Sequence, residues 1–214
     1  MPEASPLYLK QLEVGPMQNY IYLIGDKNKR ECVMVDPAWD VDSVLAAAQA
    51  DNMKVTGALV THTHYDHVNG AEDLVARMNG KIYVHKSEAE FLKGLQSYIE
   101  KVDSGYKLKI GDIEITFIHT PGHTPGSQCF LVNDRLVSGD TLFINACGRC
   151  DLPGGNVADM YESLVRLAKL GDDVILFPGH NYDEDPTSTL GKEKRQNPYY
   201  QCRSLQDFLD LRVG

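Results

Sequence analysis

The sequence predicts a mixed α/β protein in which two β-sheets pack together and helices cover their outer faces. Apolar runs of strand length, bounded by glycine, proline and asparagine, alternate with amphipathic runs of helical length. The first half reads strands, helix, strand, helix, strand, and the second half repeats strands, helix, strand, helix. This order suits two packed sheets with helices outside them. The chain has no low-complexity segment or linker, so residues 1–214 are expected to form one domain.

Turn residues divide the first half into its elements. Gly15-Pro16 follows the first strand, Asp36-Pro37 stops the third strand, and Asn79-Gly80 ends the second helix. The first helix is rich in alanine, and its apolar residues recur at helical spacing. Ser87 is expected to cap the third helix. The predicted strands span 7–14, 20–24, 31–35, 55–60 and 81–84, and the predicted helices span 41–50, 70–78 and 88–95.

From Leu108 onward the sequence becomes typical of β-structure, and Asn133-Asp134 marks a tight turn between two strands. Residues 96–107 carry no clear periodicity and are predicted to form a loop. The strands predicted for this half span 113–118, 128–132, 135–137 and 174–177, and the helices span 157–169, 192–196 and 204–211.

The composition of the chain argues against several classes of protein. With 21 Lys and Arg against 30 Asp and Glu, the formal net charge is −9, which argues against nucleic acid as a partner. Residues 1–14 lack the apolar core of a signal peptide, and no apolar run is long enough to span a bilayer. The five cysteines are an odd number without a disulfide spacing, which indicates reduced thiols. We therefore expect a cytoplasmic protein with no membrane partner, and a homodimer is compatible with the sequence.

The stretch from Thr61 to His67 concentrates metal-binding side chains. His62 and His64 are two residues apart, so an extended backbone places both imidazoles on the same side. Asp66 and His67 follow after the chain begins to turn, so they can face a second point. Burying four such side chains without partners would cost several kcal/mol. This loop is therefore predicted to present ligands to two cations.

Three later positions complete the predicted set. His123, Asp140 and His180 each come just after an apolar strand and beside glycine, so they can converge at one edge of a sheet. Two divalent ions that share Asp140 would use all the candidates, and imidazole with carboxylate suits zinc, with iron or manganese as alternatives. His85 and His119 are left over and are expected to support the ligands or lie at the surface. The candidate ligands are His62, His64, Asp66, His67, His123, Asp140 and His180.

The HxHxDH loop, the later Pro-Gly-His, the Gly-Asp and the final Pro-Gly-His resemble the metallo-β-lactamase-fold superfamily. The resemblance implies a four-layer αβ/βα sandwich with the metal site at one edge of the two sheets. It implies that His62, His64 and His123 bind a first metal, that Asp66, His67 and His180 bind a second, and that Asp140 bridges them. The best-known class of zinc β-lactamases has a cysteine where this chain has Asp140, so lactamase activity is not expected.

Within that superfamily the chain is similar to glyoxalase II-like proteins, the hydroxyacylglutathione hydrolases, and to persulfide dioxygenases. Tyr182 and Arg149 match substrate contacts of the glyoxalase II family, whereas Asp151 stands where that family has a tyrosine. Residues 147–155 resemble the corresponding loop of persulfide dioxygenases and of short bacterial glyoxalase II-like proteins. A dioxygenase would hold one iron, with His62, His123 and Asp140 as its ligands. The choice between the two activities stays open at this stage.

Hydrolysis of a thioester is the leading prediction, with a glutathione-type thioester as the small-molecule partner. A hydroxide bridging two metals would attack the carbonyl, and Asp66 would orient it or accept its proton. A thiolate, with a pKa of about 8.5, leaves without protonation, so no separate acid is required. Lys194 and Arg195 form a basic cluster that is either a solvated helix face or an anchor for a substrate carboxylate. A metal-binding protein without catalytic activity is the third alternative.

Overall fold

Two six-stranded sheets form the centre of the protein, in a computed structural model that describes residues 5–213. The first sheet has the order β1 to β6, and the second has the order β14-β13-β10-β9-β8-β7, with β11 and β12 forming a separate hairpin. The strands are β1 (Leu7–Val14), β2 (Asn19–Asp26), β3 (Glu31–Val35), β4 (Lys54–Leu59), β5 (Lys81–His85), β6 (Ile99–Val102), β7 (Lys107–Ile110), β8 (Ile113–His119), β9 (Gln128–Val132), β10 (Arg135–Gly139), β11 (Leu142–Phe143), β12 (Ala146–Cys147), β13 (Ile175–Pro178) and β14 (Ser188–Thr189).

Helices cover the outer face of each sheet. Several begin at a side-chain cap: Asp40 accepts from Ser43 N at 3.0 Å, and Asn156 accepts from Ala158 N at 2.9 Å. Two short 3₁₀ turns, Ala89–Phe91 and Pro198–Tyr200, complete the regular structure. The helices are α1 (Val41–Ala50), α2 (Tyr65–Val68), α3 (Ala71–Arg77), α4 (Val157–Leu167), α5 (Leu190–Gln196) and α6 (Leu205–Val213).

Three apolar clusters fill the spaces between the layers of sheets and helices. Alternate residues of β2 face opposite ways: Leu23 packs under α1 and α3, whereas Tyr22 packs against Phe177 of the second sheet. This is why every residue of β2 is buried, since both faces of its sheet are covered. A third cluster joins the second sheet to α4, α5 and α6. The observed layering confirms the predicted α/β sandwich of two sheets with helices outside.

The strand directions bring the functional loops to one edge. β3, β4 and β5 are parallel neighbours in the first sheet, and β10 and β13 are parallel neighbours in the second. Backbone bonds join the two sheets there: Gln128 N donates to Thr61 O at 2.9 Å, and Tyr20 N donates to Gly179 O at 2.8 Å. Within the described residues, no helix is long and apolar enough to cross a membrane.

One predicted region is wrong. The helix predicted for 88–95 is a single 3₁₀ turn, because the Glu88 carboxylate turns inward and accepts from the backbone N of Thr63 and of Gly126. Residues 96–107, predicted as a loop, contain β6 and the start of β7. β6 pairs with β5 at the edge of the first sheet, and its exposed Glu100 and Lys101 carry no local strand signal.

Candidate metal centre

Seven buried or half-buried side chains meet at the edge where the strands end. They form three overlapping groups whose ligand atoms lie within 4.8 Å of one another. The groups are His62, His64 and His123; His62, His67 and Asp140; and Asp66, His67 and His180. These are the seven residues predicted as ligands, and the structure brings all of them together.

The first group lies where β4 and β8 end. His62 Nε2 is 3.1 Å from His64 Nδ1, which is 2.9 Å from His123 Nε2. Zinc–nitrogen bonds of about 2.0–2.1 Å place neighbouring ligands of a tetrahedral ion about 3.4 Å apart. Three imidazole nitrogens at this spacing can therefore bind one ion.

The second group depends on the start of α2. This helix begins at Tyr65, so Asp66 and His67 turn away from the direction of His62 and His64. His67 Nε2 lies 3.2 Å from His180 Nε2, and Asp66 Oδ2 lies 3.4 Å from both nitrogens. These three atoms also have the spacing of ligands around one ion.

Asp140 lies between the groups. Its Oδ1 is 3.4 Å from His67 Nε2, while its Oδ2 is 3.5 Å from His180 Nε2 and 3.6 Å from His123 Nε2. Among the described residues, Oδ1 is buried without a hydrogen-bond partner. A Cβ on Gly179 would collide with this oxygen, so a glycine is required there. The carboxylate can therefore reach an ion in either group.

In His123 and His180, the hydrogen bond made by Nδ1 shows that Nε2, which faces the other ligands, carries a lone pair. His123 Nδ1 lies 2.7 Å from Arg149 O, and His180 Nδ1 lies 2.9 Å from Met17 O. A carbonyl only accepts, so each Nδ1 bears the proton and each Nε2 of the neutral ring faces inward without one. Lone pairs and carboxylate oxygens crowded together repel unless a cation lies among them. The residues present fit divalent metal ions.

Asp36 connects the two groups through hydrogen bonds, a role not predicted from the sequence. Its Oδ2 accepts from the Thr61 hydroxyl at 2.7 Å and from His67 Nδ1 at 2.9 Å. Because the Thr61 hydroxyl donates to Asp36, its oxygen accepts from His62 Nδ1 at 3.0 Å. One buried carboxylate thus orients an imidazole of each group. The available signal was an acidic residue directly after a buried strand, at the edge that carries the other candidates.

Burial and neighbouring charge act in opposite directions on the ring pKa values. Burial lowers the pKa of His62 well below its usual range and also lowers that of His64. Burial also opposes the charge on His67, but the carboxylates of Asp140 and Asp36 raise the pKa of His67 to about 9. In the metal-free protein His67 is therefore protonated at neutral pH.

Metal binding to the second group is expected to release a proton below pH 9. An ion requires neutral His67, whose pKa is about 9, so the apparent affinity should rise as the pH rises from 7 and level off above that pKa. The expected slope is about tenfold per pH unit for one displaced proton. Chelator competition between pH 6.5 and 10, with calorimetry in two buffers to count protons, measures it. An affinity that does not change from pH 7 to pH 9 would contradict the expectation.

Of the predicted substrate contacts, Tyr182 and Arg149 have different surroundings. The Tyr182 ring stacks on His180, with ring centroids 4.7 Å apart and an angle of 7° between the planes, so it lies beside the metal ligands. The Arg149 guanidinium is bound through two atoms to Asp151, at 2.9 and 2.8 Å, although its carbonyl holds His123. Tyr182 is thus available to a substrate, whereas the Arg149 charge is already paired.

Lys194 and Arg195 lie on α5 near the start of β13, at the end away from His180. Lys194 Nζ donates to Leu170 O at 2.6 Å and to Asp172 at 2.8 Å. The hydrogen bond from Lys194, with the charges of Lys194 and then of Arg195, lowers the pKa of Asp172. The structure therefore does not bring these two cations to the metal ligands; Arg195 is exposed and Lys194 is half-buried.

The two remaining histidines lie outside the three ligand groups. The rings of His85 and His119 stack at 3.9 Å, and His119 Nε2 lies 2.9 Å from Pro125 O. His85 lies next to Gly126 and close to Glu88, so the pair packs beside the loop of Pro125 and Gly126 and not among the candidate ligands.

Comparison with known proteins places this site in a family. Residues 14–180 match the Metallo-beta-lactamase superfamily. A probable polyketide biosynthesis zinc-dependent hydrolase of Bacillus velezensis is 33% identical over 195 residues, covering 91% of this chain and 87% of the relative. A hydroxyacylglutathione hydrolase of Shewanella loihica is 36% identical over 166 residues, covering 78% of this chain but 63% of the relative. The crystal structure of ETHE1 from Myxococcus xanthus has a TM-score of 0.87 at 30% identity, covering 97% of this chain and 90% of that one.

Proposed function

Because the chain belongs to the metallo-β-lactamase superfamily, we propose that it is a metal-dependent hydrolase that cleaves thioesters with two divalent ions. The observation that carries this proposal is the pair of ligand groups joined by Asp140, whose Oδ1 is buried without a partner. The names of two relatives, a zinc-dependent hydrolase and a hydroxyacylglutathione hydrolase, support the reaction class.

The two groups would each hold one ion, with zinc preferred and iron or manganese as alternatives. His62, His64 and His123 would bind the first ion, Asp66, His67 and His180 the second, and Asp140 would contact both. Bound divalent ions supply Lewis acidity, which makes a water nucleophilic near neutral pH and polarises a carbonyl.

The chain supplies orientation and a place for a proton. Asp66 Oδ2 accepts from Asn19 Nδ2 at 2.9 Å, and Asn19 Oδ1 accepts from Trp39 Nε1 at 2.8 Å. These bonds fix the Asp66 carboxylate, whose side chain is 13% exposed, so it can orient the attacking water and hold its proton. The leaving thiolate, with a pKa of about 8.5, departs unprotonated. A thioester therefore suits this site better than an amide, whose nitrogen requires an acid.

A persulfide dioxygenase with one iron is the second candidate. His123 Nε2 lies 3.6 Å from Asp140 Oδ2, and His62 belongs to a ligand group with each of them. These three side chains supply the two histidines and one carboxylate that non-haem iron oxygenases use. In that protein His67 and His180 would be dispensable for iron binding.

Metal analysis with paired activity assays tests the proposal. We expect about two ions per chain and hydrolysis of acyl thioesters by the loaded protein, with no oxygen consumed when glutathione persulfide is added. One iron per chain with persulfide-dependent oxygen uptake would establish the dioxygenase instead. Tightly bound metal without turnover in either assay would favour the non-catalytic alternative.

A further inference from the structure

A small apolar cavity lies directly beside the first ligand group. It has a volume of about 280 Å³, and its wall includes His64, Phe91, Pro125 and Pro153. Whole drug-sized ligands occupy pockets of roughly 300–1,000 Å³, so this cavity suits one arm of a substrate. Since His64 is both a proposed metal ligand and part of the wall, a group in the cavity would lie next to the reacting carbonyl.

The acidic residue in the wall already accepts three hydrogen bonds from the protein. Glu88 is 1% exposed; its Oε2 accepts from Thr63 N at 3.0 Å and from the Thr63 hydroxyl, and its Oε1 accepts from Gly126 N at 2.9 Å. The carboxylate is committed to three donors, and its negative charge repels an anionic ligand. An uncharged, apolar group fits this cavity best.

Exposed apolar side chains also lie near the ligand groups. Of the eight large apolar side chains exposed among the described residues, three lie beside a candidate ligand or in the cavity wall. Phe91, which is 65% exposed, lines the cavity, and Tyr182, which is 60% exposed, stacks on His180. Tyr65, which is 74% exposed, lies between His64 and Asp66 in the chain. Clustered exposed apolar groups mark a binding surface.

Three cations of residues 149–194 already contact a carboxylate of the chain. The Arg149 guanidinium pairs with Asp151, and Lys192 Nζ lies 3.4 Å from Asp185. Lys194 pairs with Asp172 at the other end of β13. The chain carries a formal net charge of −9. A glutathione thioester carries two carboxylates, which the net negative charge of the chain disfavours, and none of these three cations is without a carboxylate partner.

We propose that the substrate is a thioester with an apolar acyl group and that this group binds in the cavity between Phe91, Pro125 and Pro153. This inference rests on the proposed thioesterase activity and defines its substrate. Water adds to the acyl carbon, the carbon–sulfur bond breaks, and a carboxylic acid and a thiol leave. A reaction that transfers an acyl group to a thiol must supply the substrate.

The acyl chain length tests the proposal. The metal-loaded protein is assayed with neutral thioesters of one small thiol that carry acetyl, butyryl or hexanoyl groups, and with S-lactoylglutathione. We expect kcat/KM to rise about fourfold per methylene, which is the gain that corresponds to burying one CH₂. We also expect hexanoyl thioester to be preferred over S-lactoylglutathione.

Phe91→Ala removes one wall of the cavity and should lower the hexanoyl-to-acetyl ratio of kcat/KM at least fivefold. Val165→Ala, which truncates another exposed apolar side chain on α4, is the matched control and should leave this ratio unchanged. Hydrolysis that ignores chain length, or that favours S-lactoylglutathione, overturns this inference but leaves the thioesterase standing. A metal-loaded protein that cleaves none of the four substrates overturns the thioesterase and this inference together.

Discussion

His67→Ala is expected to remove one of two bound ions and to reduce kcat/KM for thioester hydrolysis about 10³-fold, since a catalytic metal contributes several kcal/mol to the transition state. His67 Nε2 lies 3.2 Å from His180 and 3.4 Å from both Asp66 and Asp140, so its loss opens the second ligand group. Metal analysis and steady-state kinetics on the same preparation measure both effects.

His119→Gln is the matched control for this variant. His119 is outside the three ligand groups, and glutamine keeps a donor for the Pro125 carbonyl. Its metal content and kcat/KM should equal those of the unmodified protein. If His67→Ala instead keeps its metal and its activity, two-metal hydrolysis is wrong, and a single ion held by His62, His123 and Asp140 becomes the better description.

Asp36→Asn is expected to weaken metal binding about 10–100-fold without removing any ligand, as loss of an outer hydrogen-bond partner does in other metal sites. Asp36 accepts from Thr61 N, from the Thr61 hydroxyl and from His67 Nδ1. An asparagine presents an NH₂ group to one of these donors. The His67 ring then loses the acceptor that keeps its proton on Nδ1, and Nε2 no longer faces the ion as a free lone pair. Chelator competition measures the affinity.

Asp26→Asn is the matched control that separates the orientation of metal ligands from an effect on folding. Asp26 is another fully buried carboxylate at a strand end, and it accepts from the backbone N of Asn28, Lys29 and Asp112. Its substitution should lower the unfolding temperature of the metal-free protein and leave the metal affinity unchanged. If both variants lose stability equally and neither loses metal affinity, Asp36 has a structural role only.

Local signals predicted most elements correctly. The strand Glu31–Val35 and the helix Val41–Ala50 have the predicted bounds, because a β-branched apolar run before Asp36-Pro37 and an alanine-rich amphipathic run are strong short-range patterns. The short elements α2, β11, β12 and β14 were not predicted, and the longest failure lies between residues 88 and 107. There Glu88 satisfies backbone donors of two distant loops, and β6 forms by pairing with β5. Neither partner is near in sequence.

In the candidate site, too, local patterns predicted some residues well and others poorly. The seven ligand types and their order are visible in the sequence because four lie in one short loop after a strand and each of the other three follows a strand end beside a glycine, and the structure brings all seven together. The prediction of basic residues as substrate contacts rested on weaker evidence, because the charge of a side chain does not reveal its ion-pair partner. In the structure Arg149 binds Asp151, and Lys194 binds Asp172. The type of a side chain indicates what it can bind. Its neighbours in the folded protein decide whether it already has a binding partner.

By itself, the sequence determined the fold class and the metal-binding character of the edge loops, because these depend on periodicity and on side-chain chemistry at short spacing, and the resemblance of its motifs indicated the family. Only the tertiary structure decided that Asp36 orients a histidine of each ligand group and that the cavity beside His64 is apolar. That cavity is assembled from Thr63, Phe91, Pro125 and Pro153, which come from four separate loops. Contacts of this kind form when packing brings distant strand ends to one edge, so no local pattern records them.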